Sequence, residues 1–330
     1  MKYRKLGCSD LEVSTVCMGC WSIIGDNTWG EQDEADSIAA IEAALDAGVT
    51  FFDTAEGYGR GQSEELLGRV LGDRRKDVMI ASKVGARTYD VDTVREHCEQ
   101  SLKRLGTDVI DLYQIHWPRK DMDTGDALAA MQALVDAGKV RAIGVSNFGR
   151  SFLTEATAIG GVASNQLCYS LLFRAIEHEV QPICASNEIS IICYSPLSQG
   201  LLTGKFATAD EVPEGRARTR LFSKDRPQSR HDEPGCEDAV FEALDKVRAI
   251  CDDIGQPMGR VALAWLLAQD AVTSVIAGAR NAKQARQNAE AGDLELTDDV
   301  VRALAAATEP VKEYVGINAD MWQTTTRMER

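Results

Sequence analysis

The chain has 330 residues, 44% of them hydrophobic, and a formal net charge of −15. This length can bury a large core, and the acidic balance argues against nucleic acid or an anionic membrane surface as a partner. No apolar run reaches the ~18 residues of a membrane span.

The first elements, "YRKLG" and "LEVS", predict an N-terminal β-hairpin. Eight buried strands then follow: "TVCMG" from 15, "TFFDT" from 50, "VMIASK" from 78, "VIDLYQIH" from 109, "VRAIGVS" from 140, "GVASNQ" from 161, "ISIICYS" from 189 and "VTSVIAG" from 272. Helical patterns separate them. "DEADSIAAIEAALDAG" sets Ile38, Ile41 and Leu45 on one face, with Gly48 as its stop. "SEELLGRVLG", "DTVREHCEQSLKRLG" and "GDALAAMQALVDAGK" repeat that grammar.

Continuous apolar strands alternating with helices indicate parallel strands covered by helices. Eight such units predict a closed (β/α)8 TIM barrel over residues 1–330, as one domain. One interruption stands out. A polar, aperiodic stretch separates the seventh strand from its helices, which are predicted near 236–254 and 257–269. A loop this long is expected to be functional or disordered.

The basic start "MKYRKLGCSD" has no apolar stretch behind it and predicts no signal peptide. Nine cysteines without framework spacing read as reduced thiols of a cytoplasmic protein. Cys17 and Cys20 form a C-x-x-C, but residues three apart on a strand face opposite sides, so they read as two small apolar side chains. No metal-ligand spacing appears.

Polar residues close three consecutive strands. Asp53 ends "TFFDT", Lys83 ends "VMIASK" and His116 ends "VIDLYQIH", while Tyr58 follows Asp53 in "FFDTAEGYG". Each alone has an ordinary structural explanation as a turn cap, a solvated lysine or a core histidine. All four at the mouth of one barrel point to chemistry, because that mouth is where barrel enzymes work. The acid would hold the ammonium in place. The ammonium would favour the phenolate and lower the phenol's pKa, and the phenol would exchange a proton with a carbonyl oxygen. Protonating a carbonyl oxygen is half of a reduction, and the other half needs a hydride donor.

"FFDTAEGYG", "ASKVG", "LYQIHWP", "IGVSNF", "CYSPLSQGLLTGKF" and "VIAGARNAKQARQN" resemble, in order, the signature segments of the aldo-keto reductases. The resemblance spans about residues 1–310. It implies a barrel that binds NADP(H), in preference to NAD(H), without a Rossmann domain. No G-x-G-x-x-G follows the first strand, which agrees.

The resemblance implies a catalytic tetrad of Asp53, Tyr58, Lys83 and His116. It implies nicotinamide contacts from Ser146, Asn147 and Gln166, with Asp53 beside them, and a stacking ring at Tyr194. Pyrophosphate contacts correspond to Ser195, Pro196, Leu197, Gln199, Gly200 and Leu201, with Lys205 nearby. The adenosine end corresponds to Gly278, Ala279, Arg280, Gln284, Gln287 and Asn288.

Arg280 could form a fork with a 2'-phosphate or stack on adenine; at a helix start the dipole disfavours a merely solvated cation, which favours the phosphate reading. Residues 203–232 resemble a cofactor-covering strap. Arg218 is the expected phosphate contact, with Arg216 and Arg220 as competitors. The family's Gly-Thr-Trp is here Gly19-Cys20-Trp21, a departure that touches one cofactor contact. Trp21, Tyr58, His116 and Trp117 are expected around the substrate, and Trp322 in the tail 311–330 is expected either to reach the pocket or, the favoured role, to anchor that tail on the barrel.

The sequence therefore reads as an NADP(H)-dependent reductase of a small carbonyl compound, sugar-like in polarity, working as a monomer or weak homo-oligomer. Two other readings share the fold. A cofactor-binding sensor or regulatory subunit with little turnover is disfavoured by the complete tetrad. A Schiff-base aldolase using Lys83 is disfavoured because Asp53 would keep that lysine charged.

Overall fold

In the computed structural model, which describes residues 1–330, the predicted hairpin is β1 (Tyr3–Lys5) paired antiparallel with β2 (Glu12–Ser14). The barrel strands are β3 (Val16–Gly19), β4 (Phe51–Asp53), β5 (Met79–Val84), β6 (Ile110–Ile115), β7 (Val140–Ser146), β8 (Val162–Cys168), β9 (Ser190–Tyr194) and β10 (Val272–Gly278). All neighbours pair in parallel and β10 closes on β3. The fold is the (β/α)8 barrel that the strand–helix alternation predicts.

The first six barrel helices are α1 (Glu34–Asp46), α2 (Gln62–Leu71), α3 (Val91–Leu105), α4 (Thr124–Asp136), α5 (Arg150–Ile159) and α6 (Val180–Ser186). Aspartates start several of them. Asp33, Asp90 and Asp123 each accept backbone N–H bonds from the first turns of α1, α3 and α4. After β9 the chain runs through the long loop to α7 (Glu237–Asp253) and α8 (Met258–Leu267), and α9 (Ala282–Ala289) follows β10. Two extra helices, α10 (Asp298–Ala307) and α11 (Glu309–Val315), lead into the tail. No helix is long and apolar enough to cross a membrane.

The barrel interior explains why its chemistry lies at one end. Cys17, Phe51, Ala81, Leu112, Ala142, Ala163, Ile192 and Ile276, one from each strand, form an apolar cluster. Leu6, Leu11 and Val13 of the hairpin complete that cluster and close the bottom. The opposite mouth is left for polar side chains. Cys17 lies in this cluster and Cys20 in the larger outer core, as their strand spacing requires. All nine cysteines are unpaired thiols.

Candidate active site

Strand periodicity of two aims the polar residues inward. Asp53 is two residues beyond Phe51, Lys83 two beyond Ala81 and Gln114 two beyond Leu112, so each continues the face of a floor residue. Lys83 is directly paired with Gln114 in the β5–β6 register. Gly144 makes room for this layer, because a Cβ there would lie 2.8 Å from the Gln114 side chain and 2.7 Å from Ser164 Oγ.

Lys83 is completely buried, and its Nζ donates to three acceptors. These are Asp53 Oδ1 at 2.7 Å, the Thr54 carbonyl at 2.8 Å and Tyr58 Oη at 3.1 Å. Three acceptors match the three protons of an ammonium. Burial pulls the Lys83 pKa down, but Asp53 and Tyr58 together reverse this and leave it above its ordinary value. Asp53 Oδ2 accepts from Gln166 Nε2 at 2.7 Å, so the carboxylate is held from both sides.

The Tyr58 pKa differs from the sequence expectation. Burial raises it; Lys83 works in the lowering direction but does not overcome the burial, and the net direction is upward. Charge neighbours are legible in a sequence, whereas depth is not. The phenol is therefore protonated at neutral pH. Because Lys83 donates into Oη, the phenolic proton is left to point elsewhere. Burial, with Lys83 adding to it, brings His116 down to about 3, so its imidazole is neutral. Neither ring nitrogen has a protein partner, and the ring sits edge-on to Tyr58 with centroids 6.0 Å apart.

Above this group opens a cavity of about 890 Å³, a size suited to a ligand larger than a simple carbonyl compound. On one wall Tyr194 Oη donates to Asn147 Oδ1 at 2.9 Å, Asn147 Nδ2 donates to Ser146 Oγ at 3.0 Å, and Ser146 Oγ donates to the Gln166 carbonyl at 3.0 Å. The wall is backbone-strained: Asn147, Ser195, Ser198 and Gln199 hold φ between 45° and 61°, a region non-glycine residues rarely adopt. Pro196, Leu197 and Gly200 continue this wall, and Gly19, Trp21, Gly278, Gln284, Gln287 and Asn288 also face the cavity. Cys20, Leu201 and Ala279 do not line it; all three are buried in the core.

The three strap arginines go to three different places. Arg216 faces Lys205 and Arg280, each of the three lacking a carboxylate partner. Arg218 turns away from this group; it donates to the Gly215 carbonyl at 2.8 Å and to Thr28 Oγ1 at 3.0 Å, and lies over Trp322. Arg220 is buried against Glu233 and donates to the Val315, Asn318 and Asp320 carbonyls, fastening the tail. Of these three, Arg216 and Arg218 line the cavity; Arg216 joins the Lys205–Arg280 group, while Arg218, the expected phosphate contact, lies apart from it.

Gly215 sets this arrangement, since a Cβ there would lie 2.3 Å from the Asn27 carbonyl. The strap thus lies directly on the loop after β3. That loop also carries Gln32, which accepts from Arg280 Nε at 2.6 Å, and Trp29, which packs edge-on to Trp21. Trp322 takes both of its expected roles, lining the cavity while packing the tail against the core. Trp117 lines it too, beneath the Arg327 guanidinium at 3.8 Å from its ring centroid.

Sequence reading missed Ser22, Trp29, Gln32, Arg230, Arg260 and Arg327. The aromatic–glycine run "NTWGEQ" after the first barrel strand is the one local signal for part of this set.

The profile of the Aldo/keto reductase family matches residues 15–309. The chain belongs to this family. It is 35% identical over 297 residues to the aldo-keto reductase YhdN of Bacillus subtilis, covering 86% of each chain. It is 32% identical over 336 residues to the NADH-specific methylglyoxal reductase of Escherichia coli, covering 94% of this chain and all of the other. Among solved structures, the glycerol dehydrogenase AKR11B4 from Gluconobacter oxydans superposes with a TM-score of 0.78 at 27% identity, covering 93% of this chain and 95% of the other.

This aldo/keto reductase is therefore an oxidoreductase acting on carbonyl or alcohol groups, and its family uses nicotinamide cofactors. The cavity fits such a group. Ten buried side-chain polar atoms in the chain lack a partner, and six of them line this cavity: Ser22 Oγ, Trp29 Nε1, both amide atoms of Gln199, Arg216 Nε and Arg260 Nε. Buried polar atoms left unpaired are costly, so their clustering marks a place where a polar ligand completes the bonding.

Proposed function

We propose that this aldo/keto reductase is NADP(H)-dependent and reduces a polar aldehyde or ketone to its alcohol, with Tyr58 as general acid. The observation that carries this reading is the threefold coordination of Lys83, which directs an ammonium at Tyr58 Oη and leaves the phenolic proton free for the cavity.

The dinucleotide, when bound, supplies the hydride. Tyr58 donates its proton to the carbonyl oxygen, and Lys83 stabilises the phenolate that remains. Asp53 keeps Lys83 charged and in place, and Gln166 steadies Asp53. His116, neutral, directs an N–H at the same carbonyl oxygen and fixes its orientation. In the oxidation direction the same phenolate takes the alcohol proton back.

Ser146, Asn147 and Gln166 would hold the carboxamide of the nicotinamide and Tyr194 its ring face. The loop from Ser195 to Gly200, with Gln199, would take the pyrophosphate. Lys205, Arg216 and Arg280 would take a 2'-phosphate, and these three uncompensated cations favour NADP(H) over NAD(H) even though one relative is NADH-specific.

The test is absorbance at 340 nm with purified protein, each reduced nicotinamide and a panel of short polar aldehydes and sugars. Turnover that is faster at low NADPH than at equal NADH is expected. Tight NADPH binding with no turnover on any carbonyl would favour a sensor on the same fold.

A further inference from the structure

In a protein of net charge −15, the walls of this cavity gather cations. Two of the lining arginines are neutralised: Arg260 pairs with Glu290, and Arg327 with Asp320 in a two-bond fork. Lys205, Arg216 and Arg280 are accounted for by the cofactor reading. Two cations remain, Arg218 and Arg230, and neither has a carboxylate partner.

Their place in the cavity is traceable by contact from the reacting phenol. Trp21 stacks on Tyr58 with centroids 5.9 Å apart and 18° between planes. Trp21 Nε1 donates to Asp26 Oδ2 at 2.8 Å, and Asp26 Oδ1 accepts from the Thr28 N–H at 2.8 Å. Thr28 Oγ1 in turn accepts from Arg218, whose guanidinium lies 4.6 Å from the centre of the Trp322 ring. Arg230 makes no hydrogen bond or ion pair at all, yet it lines the cavity.

Burial lowers the Arg218 pKa and the nearby charge of Arg230 lowers it further, while Asp26 opposes them. Asp26 forms no ion pair with either arginine; its two oxygens accept from the N–H groups of Trp21, Thr28 and Trp29. Two guanidinium groups facing one cavity, close enough for one to depress the other, repel each other, and a shared oxyanion relieves that repulsion.

We infer that Arg218 and Arg230 form a subsite for an anionic group on the substrate, so that the preferred substrate is a carbonyl compound bearing a carboxylate or a phosphate at its far end. The tryptophans Trp21 and Trp322 would flank the short chain between the two ends. The inference rests on the reductase reading and narrows its substrate class.

The experiment compares kcat/KM with NADPH for two matched pairs: succinic semialdehyde against butanal, and glyceraldehyde 3-phosphate against glyceraldehyde. In the native protein the anionic member of at least one pair should be favoured by about tenfold or more, mostly through KM, as a charge-assisted contact provides. The pair with the larger ratio identifies carboxylate or phosphate. Arg230→Gln, at an exposed side chain with no internal bond, should reduce that ratio toward one. A native ratio near one in both pairs, with all four compounds reduced, would overturn the subsite and leave the reductase reading standing. So would an Arg230→Gln variant that weakened NADPH binding as much as it weakened the anionic substrate, since the arginines would then serve the cofactor. Absence of turnover on all four compounds would overturn the reductase reading and the subsite together.

Discussion

Two lysines belong to the same site and are held in opposite ways. Lys83, at the base of the cavity, is fully buried and has three acceptors within 3.1 Å. Lys205, on the strap, has no hydrogen-bond partner and looks onto two arginines. The first end of the cavity is finished by the chain itself, with every charge of the tetrad answered on strand ends that the barrel holds rigid. The second end is left incomplete, on loops, with cations facing cations and polar atoms unpaired. Groups that must be aligned before a reaction are preorganised, while groups that must recognise a ligand are left for the ligand to complete.

Three sets of substitutions would break or sharpen this contrast. The largest effect is expected for Tyr58→Phe, which removes the phenolic hydroxyl at the finished end, both the proton donor and one of the three acceptors of Lys83. Turnover should fall by about 10²- to 10⁴-fold while NADPH affinity, read by quenching of protein fluorescence, is retained. Near-native rates in this variant would remove Tyr58 from the role of acid.

The next effect is on stability. Lys83→Met leaves the Asp53 carboxylate buried with its amide donors but without its cation. A broken buried ion pair costs about 3–5 kcal/mol, measurable in urea unfolding. The double variant Asp53→Asn with Lys83→Met should regain most of that stability and remain inactive. If Lys83→Met alone were as stable as the native chain, the finished end would not depend on its internal pairing.

The same contrast decides what a reader of the sequence can see. The eight strands are legible because parallel buried strands are unbroken apolar runs. Asp53, Lys83 and His116 are legible because each breaks such a run at one end. Gln166 as a brace for Asp53 is not, since the partner lies 113 residues away and only barrel closure brings the two together. The direction of the Tyr58 shift is hidden for the same reason, as burial is a property of the closed mouth. In the strap no periodicity distinguishes Arg216, Arg218 and Arg220. Their destinations depend on how closely Gly215 approaches Asn27, a contact between two aperiodic loops. Arg230 is likewise visible only once the strap has folded over the mouth.

The smallest of the three effects concerns the incomplete end, and its sign is the informative part. Arg280→Ala and Arg216→Ala each remove a cation that has like charge for company. The loss should weaken NADPH by about ten- to a hundredfold, the range of one charge-assisted bond, and weaken NADH much less, because only NADPH carries the extra phosphate. Unlike Lys83→Met, Arg216→Ala should not lower the stability of the cofactor-free protein, since no internal ion pair is lost and a repulsion is relieved. The measurement is a pair of titrations with the two nicotinamides, together with urea unfolding without cofactor. Equal weakening of NADPH and NADH would remove the 2'-phosphate assignment. A large loss of stability in Arg216→Ala would mean that the strap cations hold the fold together, and the distinction between a finished and an unfinished end would fail.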